Sequence, residues 1–325
     1  MGISDGRRAA GPRPDRLLGL GVDIGGTKIS AGIVDAGGRL LARAVLPTPA
    51  RGAKGDVYRT VVGLAGTLRA RLGPHEPVTA VGIGCNGIVD FERGAVVAAS
   101  LLPGWDGAPV REELTDLLGL PVTVDNDVNA FALGEQRWGA GADCSDVLYI
   151  TVGTGVGGAV VTGRTVRRGT HWAAGELGHV PVALDSGVAC SCGRPGHLEG
   201  LASGPAITRD YARRSRDAEV RDLREVVRRA RDDDPAAVAA LGAGASVLGR
   251  AIAGMVHLLD VDAVVVGGGV MQIGDLYHGP LVKAYSKELI PDAFPVPLRA
   301  AALGTDGVVL GAGALALDEV ASPAL

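Results

Sequence analysis

Cysteine is scarce in this chain, with four in 325 residues. That scarcity excludes a disulfide framework, because a chain of this length builds its core from apolar side chains and needs no covalent staples. Two of the four, Cys190 and Cys192, are spaced C-x-C, and a bridge between them would close a small strained ring. Cys85 and Cys144 stand alone in apolar or mixed sequence. Long apolar runs are missing too: no stretch reads as the ~20 uninterrupted apolar residues that a membrane helix needs. The opening residues, MGISDGRRAAGPRPDR, carry charge, Gly and Pro instead of the apolar centre of a signal peptide, and Gly6 stands where N-myristoylation wants Ser or Thr. Residues 1–16 read as a frayed tail, and the protein as soluble and cytoplasmic. Nor is positive charge in excess. The net charge is −4, and acids interleave the Arg-rich stretch 209–234, which describes a solvated helix face laced with ion pairs, with no nucleic-acid surface.

Glycine, by contrast, is abundant at 51 residues, gathered in clusters after apolar runs. Such clusters mark backbone positions with unusual dihedrals or close approach. Length alone suggests two domains. Leu17 to Val34 reads LLGLGVDIGGTKISAGIV, two β-rich runs around a Gly-Gly turn, and Val147 to Val166 repeats the plan as VLYITVGTGVGGAVVTGRTV. Between the copies lie helix candidates at 57–73, 111–119 and 128–138 and strand candidates at 78–90 and 121–125. Long helices follow, then the buried strand DAVVVGGGV and a small-residue helix at 303–317. Strands alternating with helices predict an α/β fold with partly parallel sheets, built by duplication.

The glycine turns resist the common phosphate-binding readings. Gly21 to Gly26 fits G-x-x-x-x-G, but Thr27 precedes Lys28 where a Walker A loop has Lys before Ser or Thr. Gly153 to Gly158 fits G-x-G-x-x-G as a string, yet the chain continues as a hairpin, where a dinucleotide fingerprint would open a helix. What remains is two Gly/Thr turns in equivalent places, able to aim N–H groups and hydroxyls at phosphate from two sides, or else two tight hairpins. Asp125, Asn126 and Asp127 follow an apolar strand and start a helix. A cap explains one of them; three polar residues at a strand's carboxyl end exceed what capping needs. Further on, Glu176-Leu177-Gly178-His179 precedes C-S-C-G-R-P-G-H-L-E at 190–199, so two cysteines fall beside two histidines and two glutamates. A metal site or a surface loop with two reduced thiols accounts for this segment.

Taken in order, Asp23-Ile24-Gly25-Gly26-Thr27-Lys28, Asn126-Asp127, Thr151-Val152-Gly153-Thr154-Gly155, Glu176-Leu177-Gly178-His179 and the C-x-C segment resemble the ROK family of sugar kinases and sugar-responsive repressors. The resemblance runs from about Leu17 to the C-terminus. It implies an actin-like ATPase fold, a duplicated ribonuclease H-like α/β architecture with a cleft between two domains: 17–124 plus 303–325, and 125–302 with a zinc-binding loop. It implies ATP-dependent phosphorylation of a hexose, glucose first, with N-acetylglucosamine, N-acetylmannosamine or fructose behind it, by a homodimer or homotetramer. Asp127 would be the catalytic base. Asn126, Asp127, Glu176, His179 and Glu199 would bind the sugar, a set able to donate and accept to many hydroxyls.

Asp23 would act through water on Mg²⁺ or hold its own turn. Gly25, Gly26, Thr27, Lys28, Thr151, Gly153, Thr154 and Gly155 would hold ATP. Gly267, Gly268 and Gly269 would floor the adenosine or simply pack. His179, Cys190, Cys192 and His197 would hold one structural Zn²⁺, with His197 where the family usually has Cys. Leu101 stands where family kinases often have an Asn that could touch the sugar, which leaves the hexose open. The alternatives are a sugar-sensing regulator, a sugar-binding protein without turnover, or a polyphosphate-using kinase. Barely twenty residues precede Asp23-Ile24-Gly25-Gly26, few for a regulator's helix-turn-helix.

Overall fold

The computed structural model describes residues 17–49, 53–72, 77–99, 102, 104–290 and 295–321. The tail and Leu101 lie outside them. The first sheet is built from β1 (Leu18–Ile24), β2 (Lys28–Asp35), β3 (Leu40–Pro47), β4 (Val78–Cys85) and β7 (Val122–Asn126), with α1 (Lys54–Arg69) before β4. The small hairpin β5 (Ile88–Asp90) and β6 (Ala95–Ala98) and helix α2 (Val110–Leu118) lie between β4 and β7. Helix α3 (Asp127–Trp138) leads to the second sheet, which begins with β8 (Val147–Val152), β9 (Val156–Thr162) and β10 (Thr165–Arg167). Helices α4 (Leu198–Ala202), α5 (Gly204–Ser215), α6 (Leu223–Arg231) and α7 (Pro235–Leu259) follow. Then come β11 (Ala263–Gly267), α8 (Asp275–Glu288), β12 (Leu298–Ala300) and α9 (Gly307–Ala321).

The duplication is visible in the strand order. The sheets run β3-β2-β1-β4-β7 and β10-β9-β8-β11-β12. In each, the first three strands in chain order form an antiparallel meander and the last two join in parallel on the far side. The 78–90 segment, read as one strand, breaks into β4 and β5 because Gly87 takes φ 109°, a conformation that side chains resist.

Strand alternation assigns the layers. In the second sheet Leu148, Ile150 and Val152 face the helical core with α5, α7 and α8, while Val147 and Tyr149 face Phe131 and Ala132 of α3. In the first, Leu20, Val22 and Ile24 pack with Val57, Val61 and Leu68 of α1 and Leu114 of α2. Helix α7 is long and apolar enough by composition to cross a membrane, a run that reading by uninterrupted stretches overlooked. Half of its most apolar window is buried inside the protein.

The opposite face of the first sheet explains much of the glycine. A Cβ on Gly82 would lie 1.8 Å from the Ala312 carbonyl oxygen, and one on Gly21 2.0 Å from that of Val309, so α9 lies directly on sheet backbone. On its other side a Cβ on Gly311 would lie 1.6 Å from the carbonyl oxygen of Ala130 in α3. Buried Glu135 of α3 fixes the approach to α9, accepting the N–H groups of Ala302 (3.1 Å) and Leu303 (2.8 Å). Gly82→Ala should therefore cost ~3 kcal/mol or more, since backbone has to move to admit the methyl. Urea unfolding measures this, and an unchanged midpoint would show that α9 does not seat on β4.

Candidate functional site

The β1–β2 and β8–β9 turns occupy the same place in their sheets. In the first, the Gly25 N–H donates to the Lys28 carbonyl (3.1 Å) and the Thr48 hydroxyl to the Gly25 carbonyl (2.6 Å). Asp23 makes no hydrogen bond to this turn among the described residues, so Thr48, unnoticed in the sequence, holds it. In the second, the Gly153 N–H donates to the Gly155 carbonyl (2.9 Å), and the Gly153 carbonyl accepts the Gly204 N–H (2.8 Å) at the start of α5. Gly26, Thr27, Lys28 and Thr154 are exposed, and Thr151 is half-buried behind them. Both turns offer hydroxyls and N–H groups to an anion, with the Lys28 ammonium beside the first.

Asp127 lies near enough to Asp23 and to Glu176 to feel the charge of each. Asp127 opens α3, and burial pushes its pKa up to about 7, with the charges of Asp23 and Glu176 adding to the rise against the Val128 N–H. Asp23 is raised to about 6 by burial, opposed by Lys28. Glu176 is also held above the usual carboxylate range, by burial first, with His179 opposing and Glu199 adding. A carboxylate that ionises near neutrality can take a proton from a hydroxyl. Asn126 caps α3: its Oδ1 accepts the N–H groups of Val128 (2.8 Å) and Asn129 (3.1 Å), and its Nδ2 donates to the Gly87 carbonyl (2.9 Å). One amide hydrogen is left for a ligand.

Upstream of the C-x-C segment, Leu177–His179 forms a single 3-10 turn, and Pro181 bridges to His197. The four atoms of His179, Cys190, Cys192 and His197 best able to ligate lie within 4.8 Å of one another. His179 Nδ1 is 3.5 Å from Cys190 Sγ, and His197 Nδ1 is 3.3 Å from Cys192 Sγ. Tetrahedral zinc with two thiolates and two imidazoles separates its ligand atoms by about 3.3–3.8 Å, so this donor set fits the metal. The second nitrogen of His179 faces Glu176, 3.8 Å from its Oε2. Glu199 ties the loop to the second turn. One of its oxygens accepts the Ser191 hydroxyl, and the other the Val156 N–H at 3.2 Å.

The glycine triplet divides. A Cβ on Gly267 would meet the Phe131 ring at 2.7 Å and one on Gly268 the Val152 carbonyl at 2.3 Å, so both are explained by packing, whereas Gly269 borders open space. Sequence reasoning passed over Arg168 altogether. Its guanidinium donates to Oδ2 of Asp125 from Nε (2.9 Å) and Nη2 (2.7 Å), a pair formed across 43 positions that no local spacing announces.

The ROK family model matches residues 19–319. A glucokinase of Streptomyces coelicolor is 36% identical, with 93% of this chain and 98% of that protein covered. An N-acetylmannosamine kinase of Shigella boydii is 35% identical over 92% and 98%. Among solved structures, a ROK family glucokinase from Streptomyces griseus in complex with glucose and AMPPNP superimposes with a TM-score of 0.82 at 35% identity, covering 93% of this chain and 99% of that one. The two five-stranded sheets are thus those of the actin-like fold, and the chain belongs to the ROK family.

Proposed function

We propose that the protein transfers the terminal phosphoryl group of ATP to a hexose hydroxyl, glucose to glucose 6-phosphate first. The observation that carries this reading is the Asp127 carboxyl at the start of α3, under the charges of Asp23 and Glu176 and raised to about 7. A loose phosphoryl-transfer transition state asks for positioning, charge stabilisation and a proton acceptor. Asp127 takes the proton of the attacking hydroxyl. Glu176, His179, Glu199 and the spare Asn126 hydrogen orient the sugar, and the two Gly/Thr turns with Lys28 hold the phosphates. Asp23 would hold Mg²⁺ through water, which supplies charge neutralisation between the phosphates. A half-buried carboxylate with no hydrogen bond to the turn among the described residues fits that role. His179, Cys190, Cys192 and His197 would hold a structural Zn²⁺, leaving the other His179 nitrogen to offer the sugar one fixed hydrogen-bonding group.

We divide the chain into 17–124 plus 303–325 and 125–302, with the cleft between them. The β7 strand of the first sheet runs two residues past that boundary, to Asn126. The similarity to both a glucokinase and an N-acetylmannosamine kinase at 36% and 35% leaves several hexoses within the reading. A panel of hexoses and N-acetylhexosamines with ATP in a coupled ADP-release assay tests it. Glucose should give the largest kcat/KM. Absence of turnover with every sugar would overturn the kinase reading, and a larger value for N-acetylmannosamine the choice of glucose.

A further inference from the structure

Arg168 joins three segments that the chain roots separately. It follows β10 of the second sheet, and its guanidinium reaches across to Asp125 at the end of β7 in the first. The same group lies 3.6 Å from the centroid of the Phe91 ring, just past β5. Its own carbonyl accepts the Ala174 N–H at 3.1 Å, closing the loop that runs on to Glu176. Asp125 is 1% exposed. Its Oδ1 accepts the Asn126 N–H (2.8 Å) and Asn129 Nδ2 (2.9 Å), and its Oδ2 takes both Arg168 bonds, so the carboxylate is filled on all sides. Two of the partners of Asp125 belong to the start of α3, where Asp127 also sits.

We propose that Arg168 is a positioning residue, which through Asp125 fixes the start of α3, and so the Asp127 carboxyl, against the loop that carries Glu176. Its catalytic consequence rests on the kinase reading above; the mechanical coupling does not. A planar fork held on one side by a carboxylate and stacked on the other against a ring has one orientation, which a lysine ammonium would not keep. With the fork lost, the base on the α3 side and the loop that carries Glu176 lose their mutual alignment while the sugar keeps contacts on both, so the loss falls chiefly on kcat.

Arg168→Lys should lower kcat ~10–100-fold with the KM for sugar within ~3-fold, the signature of misplacement and not of lost affinity. Hydrogen exchange in the same variant should quicken together in residues 126–130 and 169–176 and stay unchanged in α7. The pair Asp125→Asn with Arg168→Met removes the unpaired buried charge, so it should recover the thermal midpoint lost in Arg168→Met but not its turnover. A lysine variant with kcat within ~2-fold of wild type, or a double variant with wild-type turnover, would show that Arg168 only neutralises charge. If the unaltered protein phosphorylates no hexose, the kinase reading fails by itself. Exchange then decides the coupling, for which quickening in both segments stands and quickening in one alone overturns it.

Discussion

Asp127→Asn should lower turnover by ~10²–10⁴-fold while sugar binding, titrated calorimetrically, stays close to wild type, because the amide keeps shape and hydrogen bonding but accepts no proton. A variant retaining more than about a tenth of wild-type turnover would remove Asp127 from the role of base. The unaltered protein should also show kcat/KM rising with pH through about 7 as Asp127 ionises. The same group bears on stability with the opposite sign. Its folded pKa lies above the unfolded value of 3.8, so the contribution it makes is fully present below 3.8 and is lost as pH rises through about 7. The asparagine variant should therefore melt higher than wild type above neutrality, with the gap closing in acid. A gap independent of pH would mean that burial does not hold this carboxyl up.

The second large effect concerns the C-x-C loop. Purified protein should carry close to one zinc per chain, and His197→Ala should lose it together with ~10-fold or more of sugar affinity, since ligands and their neighbours orient one another. Metal-free protein with full activity, or a His197→Ala variant with unchanged zinc and unchanged sugar affinity, would take His197 out of the site. The reason to expect a joint loss is geometric. Glu199, two residues beyond His197, holds the Val156 N–H behind the second glycine turn and the Ser191 hydroxyl inside the loop, so loosening the loop disturbs sugar and phosphate groups together.

What the sequence revealed follows how local each signal is. The repeated strand-turn-strand plan, the buried DAVVVGGGV strand and the last helix were legible because each is written in consecutive residues. His179, Cys190, Cys192 and His197 could be grouped because only 18 positions separate the first from the last (197 − 179). Asn126 serves two ends that residue type alone does not separate: its oxygen and one amide hydrogen are spent on the start of α3 and on Gly87, and the other hydrogen is left over. Gly267 and Gly268 were ambiguous because a packing glycine and a ligand-facing glycine look alike until the neighbour is known. Arg168 stayed hidden because its partners, Phe91 and Asp125, meet it only after both sheets have formed. The burial that lifts Asp127 toward neutrality is likewise a property of the assembled fold.

The seating of α9 on β1 and β4 orders the events of synthesis. Strands β1 to β4 and β7 leave the ribosome first, yet the face bearing Gly21 and Gly82 is covered by residues 307–321. Everything needed for the second sheet and its helices α4 to α8 is made in between. The half translated first is thus the last to be completed, and its bare strand backbones wait through most of elongation for a helix that arrives from the far end of the chain, a long-range closure of the kind that slows folding and exposes nascent protein to misassembly.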